Sequence, residues 1–97
     1  MVIELKKFGT TLISRQTGKE AFAAFQSSLK NIPEQEDIIA DFEGVITFSP
    51  SWGDEFLTPL VKNYGERCKL MHTENPSVKT TIEILENSNN IKFNIAK

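Results

Sequence analysis

Residues 37–56 read DIIADFEGVITFSPSWGDEF, and the architecture can be worked out from this stretch. Its first part, Asp37–Phe42, is a short run dominated by apolar and β-branched residues and is typical of a buried central strand. Val45–Phe48 is too short to span a sheet, so we interpret it as a packed loop. Ser49 is a preferred N-cap and Pro50 is suited to the first helical position. The stretch therefore predicts a strand, a connecting loop and a helix.

The pattern after residue 50 continues as helix, strand, helix and strand. The first of these helices has a buried stripe at a spacing of four residues, formed by Trp52, Phe56, Leu60 and Tyr64. Pro59 predicts a kink in it, and Gly65 its end. A strand over Lys69–Thr73, a helix beginning at Asn75-Pro76 with Val78, Ile82 and Leu85 inside, a turn at Asn87–Asn90 and a one-sided strand over Ile91–Ile95 are then expected.

The pattern before residue 37 begins with an alternating stretch that predicts an edge strand, with Ile3 and Leu5 on one side. Residues 10–14 are β-prone, and they either continue the sheet or lead into the next helix. Thr17 and Glu20 have the spacing of a capping box, which predicts a helix start at Thr17. The spacing of three and four residues predicts that the inner face of that helix consists of Ala21, Phe22, Phe25, Ser28 and Leu29.

Strands that alternate with helices imply right-handed crossovers and a mostly parallel sheet. We therefore expect an α/β fold, with a mixed, mostly parallel sheet of four to five strands packed against about three helices. The 97 residues are enough for a single domain, 1–97. Ligands and partners of such sheets tend to meet the carboxyl ends of the strands, and the Ser49 turn is predicted at one of those ends.

Composition favours a cytoplasmic protein. The chain has one cysteine, Cys68, which cannot form an internal disulfide. No apolar run approaches the roughly 18 residues of a membrane span, and the N-terminal charges do not follow the order of a secretory signal.

The charges are unevenly distributed along the chain. The net charge is −2, and no Lys or Arg lies between Lys30 and Lys62. Seven acidic residues fall in that interval: Glu34, Glu36, Asp37, Asp41, Glu43, Asp54 and Glu55. They either make the loop end that holds Ser49 acidic or are unrelated solvated charges. An acidic end would repel nucleic acids and favour a basic protein surface.

No residue pattern favours catalysis, and we expect no enzyme, no cofactor and no metal site. Cys68 and His72 lie four apart on a predicted strand, some 13 Å from each other by strand rise, which is too far for a catalytic dyad. A zinc site would need more thiols and imidazoles. Neighbouring carboxylates such as Asp54 and Glu55 in the first turn of a helix are ordinary partners of the helix dipole.

Residues 41–56, together with Ser14-Arg15, Gly18 and Asn75-Pro-Ser-Val78, resemble the STAS-like domain family of unknown function. Members share an Asp, apolar, x, Gly, Val strand end and a Ser, aromatic, x, Asp, Glu helix start. The match covers about Ser14 to Ile84. That family is similar to the STAS domains of anti-sigma-factor antagonists. The resemblance implies a non-catalytic protein-binding switch of bacterial-type signalling, and a histidine-kinase-like ATPase or an anti-sigma-type regulator as partner.

The resemblance also indicates a phosphorylation site. In the antagonists a Ser or Thr at the start of the second helix is phosphorylated, and Ser51 falls at the matching position. Here Ser49 replaces the acidic residue two before that site and Trp52 replaces the Gly that follows it. The predicted partner-binding residues are Ser49, Ser51, Trp52, Asp54 and Glu55.

Each of these residues also has a structural interpretation. Ser49 and Ser51 would serve as helix caps, and Trp52 would be part of the core stripe. Arg15 either pairs with Asp54 or Glu55 or is solvated. The alternative function is a homo-oligomer, a self-associating structural domain that pairs edge strands such as Ile91–Ile95 and has no phospho-switch.

Overall fold

The computed structural model describes residues 1–96 and is an α/β fold. The strands are β1 (Val2–Glu4), β2 (Thr11–Leu12), β3 (Ile38–Asp41), β4 (Thr47–Phe48), β5 (Cys68–Met71) and β6 (Asn94–Ala96). The helices are α1 (Arg15–Leu29), α2 (Pro50–Tyr64) and α3 (Pro76–Asn89), and short 3-10 turns occupy Leu5–Phe8 and Gly65–Arg67.

The strands form two parallel sheets. The first has four strands in the order β1-β3-β5-β6, which places β1 at an edge and β3 in the interior, as the sequence predicts. The second consists of β2 and β4. Every pairing among the described strands is parallel, as connections that cross over from one end of the sheet to the other require.

One face of the four-stranded sheet is packed and the other faces solvent. Ile3, Ala40 and Leu70 point into the core, with at most 2% of their surface exposed. The alternate residues of β3 and β5 are only partly buried, and Val2 is 53% exposed. The three helices therefore cover a single face, and β3 is buried on one side only instead of being fully enclosed.

The prediction of a loop at 45–48 is wrong, because residues 47 and 48 form β4 beside β2. The amide groups of Ile46 and Thr47 both donate to the carbonyl of Thr10, at 2.7 and 3.1 Å. This pairing also shows which alternative holds for residues 10–14, because Thr11 and Leu12 form a strand.

Two helix boundaries differ from the prediction. Helix α1 begins at Arg15 instead of Thr17. The reason is that Ser14 is the N-cap, and its hydroxyl accepts a hydrogen bond from the amide of Thr17. Helix α3 continues through the predicted turn to Asn89 and ends at Asn90, whose φ of 52° lies in the left-handed region that asparagine tolerates. On the inner face of α1, Ser28 is exposed and therefore wrongly assigned.

The last strand is shorter and later than the predicted 91–95. It spans Asn94–Ala96, because the amide of Phe93 donates to Glu86 of α3 instead of to a neighbouring strand. Phe93 is buried and Ile95 is 51% exposed, so the alternation does not produce a strand with one buried face.

Candidate functional site

The start of α2 is fixed to β2 by Ser49. Its hydroxyl accepts the amide of Trp52 at 3.3 Å and donates to the carbonyl of Ile13 at 2.7 Å. Its own amide donates to the carbonyl of Leu12 at 2.9 Å. Both functions of the hydroxyl are thus used, and Ser49 acts as the helix cap as the sequence predicts.

The start of α3 holds the other side of β4. The Ser77 hydroxyl accepts a hydrogen bond from the amide of Phe48 at 2.9 Å. The carbonyl of Phe48 accepts from the hydroxyl of Ser77 at 3.2 Å and from the hydroxyl of Thr81 at 2.6 Å. The Asn75 amide group donates to the carbonyl of Val45 at 2.9 Å. These side chains take the place of a neighbouring strand, so both edges of the two-residue strand are paired.

Trp52 lies in the core. It is 1% exposed, stacks on Phe56 with ring centroids 5.1 Å apart and contacts Phe48 at 5.7 Å. The core interpretation of this residue is therefore the correct one, and a partner cannot reach the indole in this structure. The accessible part of the helix start consists of the residues around it.

Ser51 lies in the first turn of α2 and is half-buried. Ser49, and not Ser51, supplies the capping oxygen, so the helix end does not require the Ser51 hydroxyl. A side chain in the first helical turn lies close to the free backbone N–H groups of the helix. The structure thus leaves Ser51 partly accessible at the positive end of the dipole.

Arg15 joins α1 to α2 by pairing with both acidic residues of the helix start. Its guanidinium donates to Glu55 at 2.6 Å and to Asp54 at 3.2 Å. Asp54 also accepts from the amide group of Asn89 on α3 at 3.2 Å. The pairing alternative for Arg15 is therefore the correct one, and all three helices meet at Asp54.

These contacts shift the titration of the Asp54 carboxyl. Partial burial raises its pKa, but the hydrogen bonds from Arg15 and Asn89 outweigh that effect and hold the pKa below its ordinary value of 3.8. The ion pair of Asp54 with Arg15 therefore stabilises the fold fully at a pH above the ordinary pKa of Asp54. This contribution is lost as the pH falls through the lowered pKa.

Replacement of Asp54 by Asn is expected to lower the free energy of unfolding by about 0.5 kcal/mol at neutral pH, a small value because the pair faces solvent. The difference should vanish in acid well below pH 3.8. Urea unfolding of both proteins across this pH range measures it. In a background that already carries Arg15→Gln the same substitution should cost less, and an equal cost in both backgrounds would contradict the pairing.

The acidic residues of the interval between Lys30 and Lys62 do not form one acidic end. Glu36 lies 2.7 Å from the amino terminus, and Asp37 pairs with Lys69, both near the amino ends of the strands. Asp54 and Glu55 share Arg15 at the opposite end. The structure thus divides the run of acidic residues between two ends and neutralises much of it by pairing.

Two exposed isoleucines flank the start of α2. Ile13 follows β2 and is 51% exposed, and Ile46 precedes β4 and is 67% exposed. A third, Ile84 of α3, lines a shallow groove beside Pro50 and Asp54. None of the three was predicted from the sequence. The available signal was the pair Ile46-Thr47, two adjacent outward residues between the inward Val45 and Phe48.

Cys68 and His72 lie in different environments. Cys68 is buried, and burial raises the pKa of its thiol to about 11. His72 is exposed and contacts Glu74. Within residues 1–96, no three His, Cys, Asp or Glu side chains are grouped as they would be around a metal ion.

The chain has no significant match to family models, to curated proteins or to solved structures. The STAS-like resemblance therefore rests on the motifs in residues 14–84. No helix of residues 1–96 combines the length and the apolar character needed to cross a membrane.

Proposed function

We propose that this chain is a non-catalytic protein-binding regulatory module, and that its partner binds the α2 rim. The α2 rim is the surface formed by Ile13, Ile46, Ser51, Asp54 and Glu55. The observation that carries the proposal is the exposure of Ile13 and Ile46 on either side of a helix start whose backbone is held by caps and side chains. Large apolar side chains on a rigid frame, with charged groups beside them, have the composition of a recognition surface.

The STAS-like resemblance supplies the class of function. A sheet with helices on one face, and a serine in the first turn of the helix after an interior strand, are compatible with such a module. We propose a partner from bacterial-type signalling, either a histidine-kinase-like ATPase or an anti-sigma-type regulator. An enzyme active site is not part of the proposal.

Phosphorylation of Ser51 is the proposed switch. Asp54 and Glu55 lie three and four residues after Ser51, which is about one helical turn. A phosphate of about −2 on Ser51 would therefore be placed beside two carboxylates. Arg15 already pairs with both of them. The added charge would compete for this guanidinium and repel the carboxylates, which favours release of the partner over its capture.

Ser51→Asp is expected to reduce capture of the partner about tenfold, because the added carboxylate competes for Arg15 and repels Asp54 and Glu55, which displaces two charged groups of the binding surface. Ser51→Ala is the matched control and should capture the partner as the wild type does. The measurement is quantitative pull-down from the native cells with all three proteins, alongside thermal melting. Both variants should retain the wild-type free energy of unfolding to within about 1 kcal/mol.

Equal capture by Ser51→Asp and Ser51→Ala would remove the switch and leave the binding surface in place. Loss of capture by Ser51→Ala as well would show that the hydroxyl itself is a contact.

The alternative function, self-association through the last strand, has one supporting observation. Strand β6 is at the edge of the sheet, and its exposed Ile95 borders an apolar cleft beside Met71 and Ile82. The strand has only three residues, however, and offers few backbone groups for pairing. Substitution of Ile95 by Lys tests it, because a partner bound at the α2 rim does not require that side chain.

A further inference from the structure

The open face of the four-stranded sheet is the largest feature that the proposed function does not use. All-parallel sheets occur almost only with both faces covered, since crossover helices normally lie on both. Here the second face carries Val2 and Ile39, and Met71 lies at its border, where the cleft beside Ile82 of α3 begins. A shallow depression on this face is bounded by Asp37, Ile39 and Lys69. Apolar surface of this kind calls for a covering partner.

The centre of this face has a diagonal pattern of charge. In the pairing of β3 with β5, Ile39 lies beside Lys69, so Asp41 lies beside Met71 two residues further on. The four side chains thus occupy the corners of a rectangle in which apolar and charged side chains alternate. Its apolar members, Ile39 and Met71, occupy one diagonal, and its charged members, Asp41 and Lys69, occupy the other.

This pattern is self-complementary, and we infer that the cover is a second copy of this chain. A two-fold axis along the apolar diagonal brings Ile39 and Met71 each near its own equivalent. The same axis places Asp41 of one copy over Lys69 of the other, and the reverse, which gives two symmetric ion pairs. In a two-fold interface every contact occurs twice in this way.

The geometry of that dimer agrees with known sheet packing. Neighbouring strands are about 4.8 Å apart and two residues span about 6.6 Å, so the diagonal lies about 36° from the strands. A two-fold axis along it makes the two sheets cross at about 70°, nearer to the orthogonal than to the aligned way of packing. Lys69 already pairs with Asp37 of its own chain at 2.5 Å. Oδ1 of Asp41 accepts the amide of Glu43 of its own chain at 3.0 Å. The other oxygen, Oδ2, of Asp41 in the second copy would therefore complete a cluster of one ammonium and two carboxylates.

The dimer would leave the α2 rim free. The helices, and the rim with them, lie on the opposite side of the sheet, so each copy would present its own Ile46 and Ser51 to solvent. The dimer would thus bind two partner molecules, or one two-fold symmetric partner with higher avidity. Strands of three or four residues give a small contact, and small interfaces are typical of weak association, so we expect a dimer that dissociates on dilution.

Sedimentation velocity over a concentration series tests the inference through a charge swap. Lys69→Glu and Asp41→Lys should each weaken the dimer about tenfold, because each replaces two attractive contacts by two repulsive ones. The double variant restores opposite charges across the interface and should regain most of the wild-type affinity. Circular dichroism and melting of each variant check the fold.

Met71→Lys is a second route to the same result, since it places two ammonium groups near the axis and disturbs no ion pair within the chain. Ile46→Lys is the matched control and should leave the dimer unchanged. A wild-type chain that stays monomeric throughout the series would overturn the inference. So would a dimer that survives Met71→Lys. A dimer that is lost with Ile95→Lys but unaffected by Lys69→Glu and Asp41→Lys would also overturn it, because self-association would then belong to the edge strand.

Discussion

Truncation of Trp52 to alanine is expected to lower the free energy of unfolding by about 3–5 kcal/mol. The indole is buried and contacts three aromatic rings: Phe8 at 6.0 Å, Phe48 at 5.7 Å and Phe56 at 5.1 Å. Its removal leaves a cavity at the point where α2 meets both sheets. Urea unfolding followed by circular dichroism measures the change.

Ile46→Ala is the matched control, because this side chain is also large and apolar but is 67% exposed. Its loss should change the free energy of unfolding by no more than about 0.5 kcal/mol. If the two variants are equally stable, the indole is not in the core, and Trp52 returns to the set of surface residues that a partner can contact.

Gly18→Ala is expected to destabilise the protein by about 1–3 kcal/mol, against the usual sign. In an ordinary helix interior the same substitution stabilises by roughly 0.5–1 kcal/mol. Here a Cβ on Gly18 would lie 2.7 Å from the carbonyl oxygen and 3.0 Å from the Cα of Trp52. Both contacts are to backbone, so α1 and α2 would have to separate.

The control for Gly18 lies in the same helix. Ala23 is exposed, and Ala23→Gly should destabilise by roughly 1 kcal/mol through helix propensity alone. Both substitutions should therefore lower the free energy of unfolding, because glycine is preferred at position 18 and alanine at position 23. A stabilising Gly18→Ala would contradict the close approach of the two helices.

The elements predicted correctly from the sequence are those defined by local chemistry. Ser49-Pro50 and Asn75-Pro76 combine a capping side chain with a proline at the first helical position, and both helices begin there. The interior strand, β3, was recognisable because its apolar run is bounded by polar residues and Gly44. These signals act over a few residues and need no knowledge of the rest of the chain.

The features that were missed depend on distant parts of the chain. Strand β4 has two residues, too few to show a period, and exists because β2 and α3 pair with its two edges. The true cap of α1, Ser14, was hidden by the capping-box spacing of Thr17 and Glu20, whose carboxylate instead accepts from Gln16. Long-range pairing decides such short elements, and local propensity does not.

In the candidate site, too, the features set by local sequence were predictable and those set by distant contacts were not. The sequence located the helix start and allowed Arg15 to pair with Asp54 or Glu55, but no pattern fixes a contact across 39 residues. Ser49 and Trp52 were both predicted as partner-binding residues and have structural roles, as a cap and a core ring. Helix-start residues serve caps and binding surfaces equally well, and only burial separates the two.

The most direct test of the α2 rim is site-specific photocrosslinking. A photoreactive amino acid is placed at position 46 on the rim or at position 2 on the open sheet face, two sites of similar exposure. Each protein is irradiated with an extract of the native cells. We predict that position 46 crosslinks one abundant heterologous partner, and that Ser51→Asp abolishes this product. A partner joined at position 2 and not at position 46 would contradict the account.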